Sequence, residues 1–392
     1  MSHPIFSGLE RLRNELAAIR AGDRQRVRRL LDSPQGTTVA VDGETLLSFC
    51  SNDYLGLAND ARVRAAFQSA VEKFGVGSGA SHLITGHMRP HHDLEAELAD
   101  YVGAERALLF STGYMANLGV VSALTWRGDS LFEDKLNHAS LIDAARLSGA
   151  EVHRYRHGDS ARLAAQLQQA RGEKMILTDG VFSMDGDEAD VRTLAELAHK
   201  HNAWLLVDDA HGLGVHGPCG AGTLARHGLK PQAPIILLGT LGKALGTFGA
   251  FIAGDADVIE YLVQRARTYI YTTALPPAAA AATRVSLRIA REEERRRDTL
   301  RRHIATLRAG VMRLGLTMLE SGTPIQPVIL GSDRAALAAS AALKEKGILV
   351  PAIRPPTVPE GQSRLRISLS AAHSETDIER LLAALAALPK TA

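Results

Sequence analysis

Short runs of apolar residues alternate with segments of helical spacing from about residue 46 to residue 285. The runs include ALLF at 107–110, MILT at 175–178, WLLV at 204–207 and IILLG at 235–239, and a helical segment at 191–201 separates two of them. Strands joined by helical crossovers are typical of βαβ units, and continuous apolar strands indicate a sheet that is buried on both faces. The pattern predicts an α/β protein with a mainly parallel central sheet.

The same pattern divides the chain into three parts. Leu9, Leu12, Leu16 and Ile19 form one stripe of a basic helix predicted over 9–31, and we expect this helix to pack on the main body. A charged helix over 291–314 leads into a shorter region with strands near 324–330, 348–353 and 364–370. We predict an N-terminal helical segment at 1–45, a large domain at 46–290 and a small C-terminal α/β domain at 291–392.

Composition narrows the class of protein. Hydrophobic residues make up 45% and charged residues 22%, which is ordinary for a globular chain. No apolar run is long enough for a membrane helix, and the first residues lack the apolar core of a secretory signal. The 45 basic and 43 acidic residues nearly balance, which disfavours nucleic-acid binding. Cys50 and Cys219 cannot form a disulfide framework. We expect a cytoplasmic protein with no membrane or nucleic-acid partner.

Two glycine-rich segments do not match nucleotide-binding motifs. GVGSGA at 75–80 follows no apolar strand, and GTLGKA at 239–244 has Ala244 where a P-loop needs Ser or Thr. His87 and His91 have helical spacing, but Pro90 interrupts the turn between them and no HExxH sequence is present. Packing or surface histidines are therefore favoured over a metal site, and no metal is predicted.

Lys243 is the best candidate for amine chemistry. A lysine after a strand is usually a solvated loop residue, but Asp208 ends another apolar strand and His211 follows three residues later. The carboxyl ends of parallel strands line a common crevice. A lysine can form a Schiff base with an aldehyde cofactor, whereas a free lysine with a pKa near ~10.4 is a poor base at neutral pH.

A phosphate group could bind beside these residues. STGYMAN at 111–117 predicts a strand-to-helix turn at Gly113 with free backbone amides, and hydroxyls at 111, 112, 240, 272 and 273 could add donors. His138 is available to stack on an aromatic ring. An amine, a carboxylate, a phosphate-binding turn and a stacking ring together match the needs of pyridoxal 5′-phosphate.

At these residues the chain resembles the α-oxoamine synthases, which are fold type I pyridoxal-phosphate enzymes related to aspartate aminotransferase. The similar segments follow one another from about residue 45 onward: SNDYLGL (51–57), FGVGSGAS (74–81), LLFSTGYMAN (108–117), NHASL (137–141), TDGVFSMDGD (178–187), VDDAHGLGVHG (207–217), GTLGKALG (239–246), YIYTTALPP (269–277) and RLRISLSAAH (364–373).

The resemblance implies a role for each matching residue. Lys243 corresponds to the Schiff-base lysine, Asp208 to the partner of the pyridine nitrogen and His211 to the donor to the ring hydroxyl. The remaining implied cofactor contacts are Gly113, Tyr114, His138 (stacked on the ring), Ser183, Thr240 and, from the neighbouring subunit of a homodimer, Thr272 and Thr273. The implied substrate contacts are Arg26, Asn52, His138, Thr357 and Arg366, with Arg28 and Arg29 as alternatives to Arg26.

The resemblance also implies the reaction. The segment IRPPTVPEGQSRLRISLSAAH at 353–373 is most similar to the biotin-pathway branch, which condenses L-alanine with a pimeloyl thioester of CoA or of a carrier protein and releases carbon dioxide. The glycine-using acetyltransferase branch and a non-catalytic pyridoxal-phosphate-binding protein stay open as alternatives. Asp179 departs from the family pattern, in which glutamate is common, and its side chain is shorter by one methylene.

Overall fold

Helices and strands alternate along residues 7–22 and 24–388, which are the residues that the computed structural model describes. The helices are α1 (Ser7–Ala21), α2 (Ala61–Phe74), α3 (Arg89–Val102), α4 (Gly113–Leu124), α5 (Ala139–Ser148), α6 (Ser160–Gln169), α7 (Val191–His201), α8 (Thr223–Arg226), α9 (Ala256–Arg265), α10 (Arg267–Ile270), α11 (Pro277–Glu292), α12 (Glu294–Arg313), α13 (Asp333–Glu345) and α14 (Glu375–Ala386). The strands are β1 (Thr38–Val41), β2 (Glu44–Ser48), β3 (Arg106–Phe110), β4 (Ser130–Asp134), β5 (Glu151–Tyr155), β6 (Lys174–Asp179), β7 (Ala203–Asp208), β8 (Ile235–Thr240), β9 (Ala250–Gly254), β10 (Ile325–Gly331), β11 (Ile348–Leu349), β12 (Ala352–Ile353) and β13 (Ser363–Ser368).

A seven-stranded sheet forms the centre of the molecule, in the order β3-β9-β8-β7-β6-β4-β5. Strands β4 to β8 pair in parallel, while β9 runs antiparallel to both β8 and β3. This arrangement confirms the predicted α/β fold with a mainly parallel central sheet.

Both faces of this sheet are buried, which explains why its strands are almost continuously apolar. Along β7, Leu205 and Val207 pack into one hydrophobic cluster, whereas Leu206 between them packs into a second cluster. Successive side chains of a strand point to opposite faces, so each face contacts a different layer of helices. The polar residues that follow the strands are therefore left at the ends of the sheet.

Two smaller sheets lie outside the central one. Strand β2 pairs antiparallel with β1 and parallel with β11, and β13 pairs antiparallel with both β10 and β12. The C-terminal residues thus contribute strands to two sheets, one of which also contains the residues just before SNDYLGL.

The structure differs from the sequence prediction at the N-terminus. The helix predicted over 9–31 is wrong beyond Ala21, where Gly22 follows α1. Strand β1 lies within residues 1–45, which were predicted as an N-terminal helical segment. No residue of α1 is buried, so its apolar stripe does not pack on the described part of the chain as expected. The division into domains at residues 45 and 290 stays a prediction.

Over residues 7–22 and 24–388, no helix combines the length and the apolar character that crossing a membrane requires.

Candidate active site

The carboxyl ends of β6, β7 and β8 bring the candidate residues together. Asp208 is the last residue of β7, and Lys243 follows three residues after the end of β8. The loop after β7 is fixed by buried Asp209, whose carboxylate accepts hydrogen bonds from the backbone N–H of Thr223 (2.7 Å) and from its hydroxyl (2.5 Å). Gly180, Gly212 and Gly222 surround this carboxylate, and an added Cβ at any of them would overlap with it.

The Lys243 amine begins a chain of hydrogen bonds. Its Nζ lies 2.8 Å from Nε2 of His211, and Nδ1 of His211 lies 2.7 Å from the Tyr54 hydroxyl. The Tyr54 hydroxyl donates to Oδ1 of Asn52 at 3.1 Å, and the same oxygen accepts from both Nη atoms of Arg366 at 3.3 Å. The chain therefore connects the candidate reactive amine with the candidate carboxylate-binding guanidinium.

Burial decides the protonation of this chain. Desolvation keeps the pKa of His211 well below its usual range, so its ring is neutral. Because the Tyr54 hydroxyl donates its proton to Asn52, Nδ1 of His211 must carry the ring hydrogen and Nε2 accepts from Lys243. Burial also lowers the pKa of Lys243 to about 8, although Asp208 and Asp179 oppose this shift. A lysine with this pKa has a substantial neutral fraction near physiological pH and can act as a base.

A second network holds Asp208. The side-chain amide of Asn117 donates to Oδ2 of Asp208 (2.7 Å) and to the hydroxyl of Ser140 (2.8 Å). Nδ1 of His138 accepts from the Ser140 hydroxyl (2.7 Å) and from the Ser140 backbone N–H (3.3 Å). Since Nδ1 accepts twice and burial lowers the pKa of His138, its ring is neutral with the hydrogen on Nε2.

Asp179 supports the same region from the neighbouring strand. It pairs in register with Asp208, and its Oδ2 accepts from the backbone N–H of His138 at 2.7 Å. Burial and, secondly, the charge of Asp208 raise the pKa of Asp179 well above its usual range. The shorter carboxylate at this position therefore fixes the start of α5, at the residue that is expected to stack on a ring.

The first turn of α4 offers a site for an anion. Thr112 caps this helix by accepting from the Met115 N–H at 3.2 Å, and Gly113 and Tyr114 are its first two residues. Free amides at a helix N-terminus favour a phosphate. The hydroxyl of Tyr114 donates to Asp143, which directs this half-exposed ring along the surface of α5.

Arg366 and Ser183 meet beside the Lys243 chain. Arg366 is nearly buried on β13, and its Nε donates to the Ser183 carbonyl at 2.6 Å. Its Nη1 also donates to the Ser368 hydroxyl at 2.7 Å. The guanidinium is thus held on several sides, as a residue that binds a substrate carboxylate requires.

Other predicted residues are not brought into these networks. Arg26 and Thr357 are exposed, and Thr240 donates its hydroxyl to the Gly249 carbonyl at 3.2 Å. Thr273 pairs with Ser81 through the backbone, and within the described residues Thr272 and Thr273 form no side-chain hydrogen bond to the site. Their predicted role from a neighbouring subunit stays a prediction.

Three histidines between residues 82 and 91 form a compact cluster outside these hydrogen-bonded networks. Ligand atoms of His82, His87 and His91 lie within 4.8 Å of one another. However, Nδ1 of His91 accepts from the Met88 N–H at 2.9 Å, and its Nε2 lies 2.7 Å from the Leu275 carbonyl. Both ring nitrogens of His91 are therefore used by the backbone, which supports the packing interpretation.

The assembled groups fit pyridoxal 5′-phosphate. Lys243 supplies an amine with a lowered pKa, Asp208 supplies a carboxylate held by Asn117, and the α4 N-terminus supplies amides for a phosphate. His138 lies at the N-terminus of α5 with a neutral ring. The amine can react with the aldehyde of the cofactor, the carboxylate can pair with its pyridine nitrogen, and the amides can bind its phosphate.

Comparison with known proteins agrees with this fit. The family model for class I and II aminotransferases matches residues 44–385. The 8-amino-7-oxononanoate synthase of Methylococcus capsulatus is 59% identical over 380 residues, which are 96% of this chain and 98% of that protein. The enzyme of the same name from Pseudomonas putida is 56% identical over 371 residues, covering 95% of each.

The chain belongs to the 8-amino-7-oxononanoate synthase family, within the class I and II aminotransferases. Members of this family are pyridoxal-phosphate-dependent acyltransferases, so the predicted enzyme class, cofactor and family resemblance are confirmed.

Solved structures confirm the fold of the family. A serine palmitoyltransferase determined with pyridoxal phosphate superposes with a TM-score of 0.92 at 30% identity, covering 98% of both chains. The 8-amino-7-oxononanoate synthase of Francisella tularensis superposes with a TM-score of 0.77 at 31% identity, covering 87% of this chain and 97% of that one. The prediction of fold type I is therefore correct.

The sequence alone indicates no role for Tyr54, Asn117 or Ser140. Each lies within a segment that carried the family resemblance, namely SNDYLGL, LLFSTGYMAN and NHASL. Their position in these segments was the only indication in the sequence that they belong to the site. Their function depends on partners far along the chain, such as His211 for Tyr54 and Asp208 for Asn117, which only the fold reveals.

Proposed function

We propose that this enzyme condenses L-alanine with a pimeloyl thioester to give 8-amino-7-oxononanoate, carbon dioxide and a free thiol. In the net reaction a C–C bond forms between the alanine Cα and the thioester carbonyl, the C–S bond breaks, and the alanine carboxylate leaves as carbon dioxide. The observation that carries the proposal is the hydrogen-bonded chain between Lys243 and Arg366, because it links an amine of lowered pKa to a buried guanidinium that would bind the substrate carboxylate.

Bound pyridoxal phosphate would supply an aldehyde that captures amines and a ring that withdraws electrons from the Cα of an amino acid. Lys243 would hold the aldehyde in the resting enzyme. The Asp208 carboxylate, fixed by Asn117, would face the ring nitrogen and keep it protonated. His138 would cover the ring, and the amides at Gly113 and Tyr114 would bind the phosphate.

Lys243 and Arg366 would perform the steps on the amino acid. Arg366, with Asn52, would bind the alanine carboxylate through charge-assisted hydrogen bonds. The Nζ of Lys243 would then remove the Cα proton and later return a proton to the product. Its pKa of about 8 suits both directions of this transfer, since the amine exchanges protons readily near neutral pH.

We also infer that two copies of the chain form a homodimer. Leu9, Leu12, Leu16 and Ile19 of α1 are 42–50% exposed in the single chain, which leaves an apolar stripe without a partner among the described residues. A second copy would cover such a stripe. Thr272 and Thr273 would then reach the phosphate of the neighbouring site, and Arg26 and Thr357 would contact the acyl substrate.

The unpaired cysteines agree with a reducing compartment, and we propose the cytoplasm. Cys50 and Cys219 are both free. Disulfides are rare in the cytosol, where thiols are kept reduced.

A substrate panel tests the proposed reaction. Purified protein loaded with pyridoxal phosphate is incubated with alanine, glycine or serine and with pimeloyl-, acetyl-, succinyl- or palmitoyl-CoA, and products are identified by mass spectrometry. We expect the highest kcat/KM for alanine with the pimeloyl donor. Preference for glycine with acetyl-CoA would reject the proposal in favour of the acetyltransferase, and the absence of product from alanine with the pimeloyl donor would also reject it. Repeating the alanine assay with a pimeloyl carrier protein identifies the donor.

A further inference from the structure

The turn between β6 and α7 is held by two arginines of one strand. The Ser183 carbonyl accepts from Nε of Arg366 at 2.6 Å, and the Met184 carbonyl accepts from Nη1 of Arg364 at 3.3 Å. The same Nη1 forms an ion pair with Asp185. Arg364 and Arg366 are two residues apart on β13, so their side chains leave the same face of the strand.

Arg364 is a buried charge that the proposed reaction does not use. Its side chain is 3% exposed, and its Nε donates to the Gln362 carbonyl at 2.9 Å. A buried guanidinium needs an anionic partner, and removing one partner of such a pair leaves an uncompensated charge. Asp185 supplies that charge, so this ion pair ties the turn to β13.

The position of the turn matters because it orients Arg366. The Nε of an arginine carries a single hydrogen, and its bond to the Ser183 carbonyl fixes the rotation of the planar guanidinium. The Nη atoms then face Asn52 on the side of the Lys243 chain. If the turn moved away from β13, Arg366 would lose this support and its plane would tilt.

We propose that Arg364 is a positioning residue: through Asp185 it holds the Ser183 carbonyl where that carbonyl aims the Arg366 guanidinium at the carboxylate of the amino-acid substrate. The inference rests on the proposed function in one respect, namely that Arg366 binds this carboxylate. It assigns amino-acid affinity, rather than the rate of the chemical steps, to an ion pair that does not touch the substrate.

Arg364→Met tests the proposal, because methionine keeps much of the apolar stem and removes the guanidinium. Binding of L-alanine to the cofactor-loaded protein is followed by the change in visible absorbance. We expect the apparent Kd and the KM for alanine to rise by at least about tenfold, since small displacements of a substrate-binding group are costly. The kcat at saturating alanine should stay within about threefold of the original value, and the KM for the acyl donor should not change.

Arg284→Met is the control for a general effect of losing an arginine ion pair. Arg284 forms ion pairs with Asp93 (2.8 Å) and Glu97 (2.6 Å), and neither carboxylate lies in the turn. This variant makes the same chemical change elsewhere and should bind alanine as the original protein does. Asp185→Asn removes the negative charge of the same ion pair and should weaken alanine binding in the same way. If Arg364→Met does not fold, Asp185→Asn provides the test instead.

Folded Arg364→Met or Asp185→Asn protein with the original alanine Kd would overturn the proposal. An equal loss of alanine affinity in the Arg284→Met control would also overturn it, because the effect would then be general. The absorbance titration is repeated with glycine and serine, which carry the same carboxylate. The titrations measure amino-acid binding and do not require condensation. A wrong assignment of the reaction would therefore be seen only in the product assay, whereas a wrong assignment of the positioning role would be seen in the titrations.

Discussion

Replacing Tyr54 by phenylalanine would break the chain between Lys243 and Arg366 at its middle. The Tyr54 hydroxyl lies 2.7 Å from Nδ1 of His211 and 3.1 Å from Oδ1 of Asn52, and the residue is fully buried. Phenylalanine fills nearly the same volume, so little packing is lost. Asn52 keeps its bonds to Arg366, but the N–H at Nδ1 of His211 loses its acceptor. One buried unpaired donor costs about 1–3 kcal/mol.

Denaturant unfolding measures this cost. The midpoint for Tyr54→Phe should fall by an amount equal to about 1–3 kcal/mol with the slope unchanged, because the same surface is exposed on unfolding. Turnover should fall as well, since the His211 ring beside Lys243 is no longer held.

Tyr101→Phe is the control for this prediction. Tyr101 is buried as well, and its hydroxyl donates one hydrogen bond to the Cys219 carbonyl at 3.0 Å, outside the site. This variant should lose stability but keep its turnover. If Tyr54→Phe matched the original protein in both midpoint and turnover, the inferred contribution of the Tyr54 hydroxyl to stability and to the orientation of His211 would be refuted.

Three further changes have distinct outcomes. Lys243→Ala should abolish turnover and the borohydride-stable attachment of the cofactor measured by mass spectrometry, and attachment at the original level would exclude Lys243 as the cofactor lysine. His157 lies 3.0 Å from Asp134 and 2.6 Å from Asp187, and these bonds raise its pKa to about 10. The stabilisation that His157 provides over His157→Gln should be full below about pH 6.5, the pKa of an unfolded histidine, and should disappear as the pH rises to about 10. Unfolding midpoints at several pH values measure this difference, and one that does not vary with pH would contradict the expectation. Gly246 has φ +63, and an added Cβ would overlap with the backbone of residues 57 and 58, so Gly246→Ala should lose about 3 kcal/mol or more. An unchanged melting temperature would show that this loop can shift.

The sequence predicted the central sheet because burial on both faces leaves a strong signal. Strands β6, β7 and β8 are short apolar runs that end directly in polar residues, and parallel pairing places those ends at one edge. Asp208, His211 and Lys243 could therefore be grouped before the fold was known. Their meeting in one hydrogen-bonded region follows from the strand order.

Other features depend on contacts that local patterns do not encode. Asn117 lies on an apolar helix, and only the packing of α4 against the sheet brings its amide to Asp208. The prediction that the first helix continues to residue 31 was wrong. Helix α1 ends before Gly22, but the charged segment that follows contains apolar residues at roughly helical spacing and therefore resembles a helix in sequence. Roles that need a second subunit, such as that of Thr273, have no signature within one chain.

The environment of Asp209 limits how this enzyme can be redesigned. A glutamate cannot simply replace Asp209, because the extra methylene would push the carboxylate into a space closed by Gly180, Gly212 and Gly222. Thr223, which binds both oxygens of Asp209, would also have to move. Grafting experiments between family members should therefore transfer residues 209–223 together with Gly180 as one cassette.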